Sequence, residues 1–308
     1  MGTSIRGSLS GECCPGNGMK NHRVLNLGAG TQSSVLLVMA DRGEIEPVEV
    51  AIFADTQAEP REVYEHLDWL EKQVKTPVVR VSEGDLEADA IAFRQRRFTV
   101  NEAGRKSYAS IPLFILNPDN SPGMVRRQCT FQYKIKPIER YIRRTVLGLQ
   151  NGQRVPAGVT VTQVYGISFD ERTRAKTGAG DPAWMRREYP LIDKRLNRQQ
   201  VIALAEKWFP DRTFPRSACV FCPYHNDAEW RRMRDEHPDE WDRAVRFDHA
   251  IRDADQKGQD QRKLFVGLPF LHAKRIPLDQ VDLRHADEKS GQMTLDAMLD
   301  ECEGMCGV

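Results

Sequence analysis

"VLNLGAGTQSSVLLVMADRGEI", Val24 to Ile45, decides how the rest of the chain is read. An apolar run ends in glycines and hydroxyls and passes at once into an amphipathic stretch, the pattern of a strand turning sharply into a helix. Such a turn presents free backbone N–H groups and the positive end of a helix dipole, and both suit an anion. Gly28 and Gly30 permit close approach, while Thr31, Ser33 and Ser34 add hydroxyl donors. Phosphate is the natural occupant. The stretch lacks the lysine of a Walker loop and the glycine spacing of a dinucleotide-binding turn. A tight βα turn with incidental hydroxyls is the plainer alternative.

Outward from this stretch the pattern repeats. "VEVAIFAD" (48–55) reads as a second strand, the segment from about Pro60 to Val74 as a helix, and "PVVRVS" (77–82) as a third strand. Strands alternating with helices imply an α/β fold with a parallel sheet. Ligands of such sheets bind beyond the carboxyl ends of the strands, where Gly28 to Ser34 and Asp55 to Gln57 both fall. The less regular stretch 85–123, with "FRQRRF" and "LNPDNSPG", reads as an insertion or flap. A basic helix is expected from Lys134 to about Leu149, and the β-branched "VTVTQVYGIS" (159–168) should return to the sheet. "NRQQVIALAEKWFP" has helical periodicity, with Asn197 as its cap and Pro210 as its stop. Two polar helical stretches and a short last helix follow. The expected organisation is a flexible leader (1–20), an α/β core (21–195) and a helical, cysteine-rich C-terminal region (196–308) packed on the core.

A formal net charge of +1, with 29% of residues charged, argues against a highly cationic coat but leaves room for local basic patches. No apolar run reaches the length of a membrane helix, and the first residues carry no apolar signal segment, so a cytoplasmic protein with no membrane partner is expected. In a reducing compartment the 7 cysteines point to metal binding or catalysis rather than to disulfides. "SACVFCPYH" places Cys219 and Cys222 at the spacing by which two thiolates grip one metal or cluster. Cys129 lies among arginines and lysines, a setting that favours its thiolate. Cys302 and Cys306, flanked by Gly304 and Gly307 in "ECEGMCGV", read as mobile thiols able to visit an active site, to accept sulfur or to complete a metal site. From Arg126 to Arg144, seven basic side chains stand against one acid, with Phe131, Tyr133 and Tyr141 interleaved. Basic plus aromatic suits nucleic acid as well as a nucleotide phosphate, and a solvated helix face is the alternative.

The loop resembles the SGGxDS motif of the PP-loop superfamily, which contains phosphoadenosine-phosphosulfate reductases and the ATP pyrophosphatases that thiolate tRNA. Gly28, Ala29, Gly30, Thr31, Gln32 and Ser33 occupy that motif, with Gln32 where the pyrophosphatases carry aspartate. "FADTQAEPREVYEHLDWL" (53–70) resembles the family's second-strand segment, and the resemblance implies that Asp55 and Thr56 line a pocket for ATP or another adenine nucleotide. "GISFDERTRAK" (166–176) resembles a later segment in which an acidic residue and an arginine follow a strand, so Arg172 or Arg174 would pair with phosphate or sulfate. The cysteines resemble the iron–sulfur branch of the group. That implies a 4Fe-4S cluster on Cys129, Cys219 and Cys222, with zinc, completed by His225 or a terminal cysteine, as the alternative. Mg²⁺ would accompany ATP, although an amide at position 32 is a poorer ligand than a carboxylate.

The fold this implies is a PP-loop (HUP-like) parallel sheet flanked by helices, with a C-terminal helical cysteine module. Two enzymatic readings follow. In one, ATP adenylates a tRNA, DNA or nucleobase acceptor, and sulfur from a donor protein, held on the cluster's open iron or as a cysteine persulfide, displaces AMP. In the other, a sulfonucleotide is reduced after attack by Cys302 or Cys306. A zinc-stabilised nucleotide- or nucleic-acid-binding module without turnover is the non-enzymatic reading.

Overall fold

The computed structural model describes residues 20–94, 111–176, 178, 180–256 and 267–284. Cys13, Cys14, Cys302 and Cys306 lie outside them, as does the expected last helix. Along the chain run β1 (Lys20–Leu27), α1 (Thr31–Asp41), β2 (Val50–Asp55), α2 (Arg61–Gln73), β3 (Val78–Ser82) and α3 (Leu86–Arg94). Next come two short strands, β4 (Phe114–Leu116) and β5 (Pro122–Met124), and a helical rod. The rod has a π-helical start (Thr130–Ile135), α4 (Lys136–Tyr141) and a π-helical end (Ile142–Val146). β6 (Val159–Tyr165), β7 (Met185–Glu188), α5 (Pro190–Asp193), α6 (Arg198–Trp208), α7 (Asp227–Glu236), α8 (Pro238–Gln256) and β8 (Leu268–Phe270) follow.

The main sheet has the order β3-β2-β1-β6-β7, and every pair in it is parallel. This is the α/β parallel sheet expected from the alternation of patterns. Its direction of winding reverses between β1 and β6, which opens a crevice at their carboxyl ends. Helix α1 is less amphipathic than its sequence suggests. Nearly all of it from Thr31 to Ala40 is buried, because α2 and α6 cover the side that faces away from the sheet. The opposite sheet face is covered by the helical rod, with Ile138 and Ile142 packed on Val24, Ile52 and Val161.

A separate core lies beyond the sheet's carboxyl edge, where Tyr133, Phe221, Trp230 and Phe247 pack with residues of α3, β4 and α8. The C-x-x-C turn and the insertion after β3 therefore share one core. Helix α6, by contrast, packs on α1 in the sheet's core. Its start is fixed by a capping box in which Asn197 accepts from the Gln200 amide and Gln200 returns the bond, and the helix stops before Pro210. β7, "MRRE", has no alternating apolar pattern and was not expected. The antiparallel sheet β5-β4-β8 is likewise built from strands of three residues, too short to leave a periodic signal. Among the described residues no helix is long and apolar enough to cross a membrane.

Candidate functional site

The loop between β1 and α1 stands at the reversal point of the sheet. Ala29 holds φ 56°, the left-handed turn that swings the chain from strand to helix. Gly166, directly after β6, lies against the first turn of α1 so closely that a Cβ there would be 2.8 Å from the Ser33 amide nitrogen. Gly30 is less confined, since its Cβ would meet the Ser217 nitrogen at 3.1 Å, a contact that a shift of a few tenths of an ångström relieves. Neighbouring backbone therefore requires glycine at position 166 and crowds any side chain at position 30.

The loop hydroxyls are committed to the fold. Thr31 donates to the carbonyls of Phe214 and Pro215, and the Thr31 amide also goes to Pro215. Ser33 accepts from the Gly28 amide and donates to the Gly30 carbonyl. Ser34 is fully buried and hydrogen-bonded to His66 Nε2 at 3.0 Å. Burial drives the His66 pKa down to about 4, helped by the charge of Arg212, so the ring is neutral at pH 7. What the loop offers an anion is thus the helix dipole and the amides of Gln32 and Ser33, which a helix start leaves without intrahelical acceptors.

Gln32 has a partner that its sequence position does not disclose. Its Nε2 donates to Glu171 Oε2 at 2.7 Å and to Ser168 Oγ at 3.3 Å. Arg174 holds the other oxygen of Glu171. A carboxylate thus stands beside the loop position that lacks one. Arg172, by contrast, is exposed and lies over the Phe169 ring, with its guanidinium 4.9 Å from the ring centroid. On the other side of the loop, the register that pairs Leu27 with Phe53 brings the end of β2 alongside Gly28 and Ala29. Asp55 accepts from the Gln57 amide and from Tyr64, whose phenol is held above its ordinary pKa by burial and by that carboxylate.

Thr56, the next residue, belongs to a second pocket. Its Oγ1 is 3.6 Å from Cys219 Sγ, and it shares a pocket with Cys129, Cys219 and Cys222. The pocket has apolar walls that include Leu86, Ile111 and Phe221, and it holds the cations Arg127 and Lys134. All three thiols are free of disulfides. The structure therefore brings together the three cysteines separated in sequence. Among the described residues, no three His, Cys, Asp or Glu side chains are already gathered tightly enough to hold one metal ion. The C-x-x-C turn is fixed by bonds from Cys222 N to Cys219 O and from Val220 N to Ala58 O. His225 braces the turn, with Nε2 2.9 Å from the Cys219 carbonyl. Burial pushes the His225 pKa down to about 4, so the ring is neutral, with its Nε2–H on that carbonyl.

A buried carboxylate missed by the sequence reading joins the two pockets. Glu59 has a wholly buried side chain, meets Lys134 Nζ at 2.9 Å and accepts from Ser217 Oγ at 3.0 Å. Ser217 lies against Gly28 and Gly30, while Lys134 lines the thiol pocket. The signal available in the sequence was an acid just ahead of Pro60 in the strand-to-helix turn, which also reads as an ordinary helix start.

No family model matches the chain, and no curated protein matches it. Among solved structures, a phosphoadenylyl-sulfate (PAPS) reductase from Candida auris, in its phosphate complex, is similar over 64% of this chain and 75% of that chain. The two are 15% identical, with a TM-score of 0.35.

Proposed function

We propose that the chain is a nucleotide-dependent sulfur-transfer enzyme, which binds ATP at Gly28 to Ser34 and thiolates a nucleic acid or nucleobase. The observation that carries this reading is the convergence of Cys129, Cys219 and Cys222 on one pocket, joined through Glu59 and Ser217 to an anion-binding loop. An adenine nucleotide placed with its phosphates on the Gln32 and Ser33 amides lies at the crevice between β1 and β6. Glu171 would then supply the carboxylate for Mg²⁺ that Gln32 does not, and Asp55 would form the far wall. An acceptor oxygen held between the two pockets attacks the α-phosphate, pyrophosphate leaves, and the adenylated carbon becomes open to sulfur.

Three thiols outside any disulfide, in an apolar pocket with two cations, form a donor set that fits a 4Fe-4S cluster. Their spread around a pocket, rather than about one point, suits a group of several atoms better than a single zinc ion. When bound, the cluster supplies thiophilic iron able to hold sulfur. The chain's own contribution is to keep Cys219 and Cys222 in a fixed turn through His225 and Ala58, to exclude water with Leu86, Ile111 and Phe221, and to offset thiolate charge with Arg127 and Lys134.

The test is an iron and acid-labile sulfide assay, with a visible spectrum, on protein purified without oxygen, for wild type and Cys222→Ala. Iron with sulfide and a broad absorbance lost in the variant is expected. Stoichiometric zinc without sulfide would sink the cluster. AMP release that depends on RNA, DNA or free base supports thiolation, whereas sulfite release from a sulfonucleotide assigns the chain to reduction instead.

A further inference from the structure

The helical rod from 130 to 146 carries a second charged feature, outside both pockets described above. Lys136, Arg140, Arg143 and Arg144 recur at intervals of four, three and one, which places them along one face of the rod. The opposite face is occupied by Ile138 and Ile142, packed on the sheet, so the cations are turned outward by the same contacts that fix the rod. Together with Glu139 and the loop around Gln150 and Asn151 they line an open cleft.

Arg140 is paired with Glu83 at 2.7 Å. The others have no carboxylate at ion-pair distance among the described residues. Lys136 is held by Gln132, and Arg143 by the Gln153 carbonyl and the Trp184 ring. The carboxylate of Glu139 also lies in this cleft and its charge is felt by Lys136 and Arg143, so four cations stand there against one acid. Five residues before Lys136, Phe131 is half exposed, and Lys136 Nζ stands 5.1 Å from its ring centroid. Phe131 also follows Cys129 and Thr130, which line the thiol pocket.

A line therefore leads from the thiol pocket, past an exposed aromatic ring, into a cationic cleft. From Cys129 to Arg144 the rod advances roughly 22 Å at about 1.5 Å per residue. That length exceeds a mononucleotide and accommodates about six nucleotides at the ~3.4 Å spacing of one strand. A row of cations with an aromatic platform is the arrangement that binds single strands through phosphate contacts and base stacking. The net charge of the chain is only +1, so this surface is local rather than part of a general cationic coat.

We infer that this face is the docking track for a single-stranded nucleic acid, with the cleft holding backbone phosphates and Phe131 stacking a base beside the thiol pocket. The inference rests on the thiolation reading only for the identity of the acceptor, and strand binding is measurable without any turnover.

The experiment is fluorescence anisotropy with a labelled 12-nucleotide single strand, as RNA and as DNA, from 50 to 300 mM NaCl. It uses wild type, Lys136→Gln/Arg143→Gln/Arg144→Gln and Phe131→Ala. Wild type should bind, and the triple variant should flatten the slope of log K against log salt by about 2, from three lost contacts at ~0.7 each. Phe131→Ala should weaken binding about tenfold with an unchanged salt slope, as loss of stacking does. Binding of a non-hydrolysable ATP analogue should be the same in all three proteins. No binding by wild type at 50 mM NaCl, an unchanged slope in the triple variant, or equal displacement of the strand by polyglutamate would overturn the track. Loss of ATP-analogue binding on substitution of the loop, with strand binding intact, bears only on the loop. Indifference to the strand with the analogue bound condemns only the track.

Discussion

Replacing Lys134 by methionine tests whether the bridge between the two pockets is a buried ion pair in the physical sense. The substitution keeps the length of the side chain and removes its charge, which leaves Glu59 wholly buried with Ser217 as its remaining hydrogen-bond donor. Breaking one side of a buried pair costs roughly 3–5 kcal/mol, because the abandoned charge cannot return to water. Urea unfolding of wild type and Lys134→Met at pH 7 measures that loss directly. Glu59→Gln/Lys134→Met, with both charges gone, should recover most of it. A Lys134→Met variant within about 1 kcal/mol of wild type would refute the reasoning, since it would mean that water reaches Glu59.

Three further outcomes follow from the same contacts. His66 and His225 have folded-state pKa values near 4, below their unfolded value of 6.5, so the unfolded chain binds more protons between those limits and stability is lost as pH falls through them. The two together should cost about 4 kcal/mol between pH 7 and pH 5, and urea midpoints that do not move over that range would contradict their burial as neutral rings. Gly166→Ala forces a Cβ onto the backbone of Ser33, which cannot swing away as a side chain can, so a loss of about 1–3 kcal/mol and weaker ATP-analogue binding are expected. A Gly166→Ala protein of wild-type stability and affinity would show that the loop yields freely. Glu171→Gln should weaken Mg²⁺-dependent nucleotide binding by about 10- to 100-fold and leave binding without Mg²⁺ nearly unchanged, as titration calorimetry with and without the metal can establish.

How far the sequence disclosed this molecule depended on the range of each interaction. The parallel sheet, the cap at Asn197 and the turn at Cys219 to Cys222 were legible because their determinants lie within a few residues of one another. The loop hydroxyls were misleading for the opposite reason. Nothing near Thr31 or Ser34 in sequence shows that their partners are Pro215 and His66, at separations of 184 and 32 residues. The same holds for Glu59, whose contacts lie 75 and 158 residues away. β7 was hidden because an edge strand paired on one side can carry charged side chains, and Arg187 there is held by both oxygens of Asp181.

Gln32 shows why a motif position and a site function should be weighed separately. Read alone, an amide where a carboxylate is usual implies lost metal chemistry. In the folded chain the amide places a carboxylate, since Gln32 donates to Glu171 across 139 residues while Ser168 and Arg174 complete its grip. An aspartate at position 32 beside Glu171 would set two like charges against each other, which is destabilising unless a cation sits between them. The glutamine removes that repulsion and still leaves one negative charge at the N-terminal end of α1, where the helix dipole favours it. The carboxylate that the loop lacks is thereby supplied by the segment after β6. That segment also supplies Gly166, whose missing side chain is what allows the end of β6 to approach the first turn of α1. The amide at 32, the glycine at 166 and the acid at 171 are parts of one arrangement, and a change at any one of them is best judged against the other two.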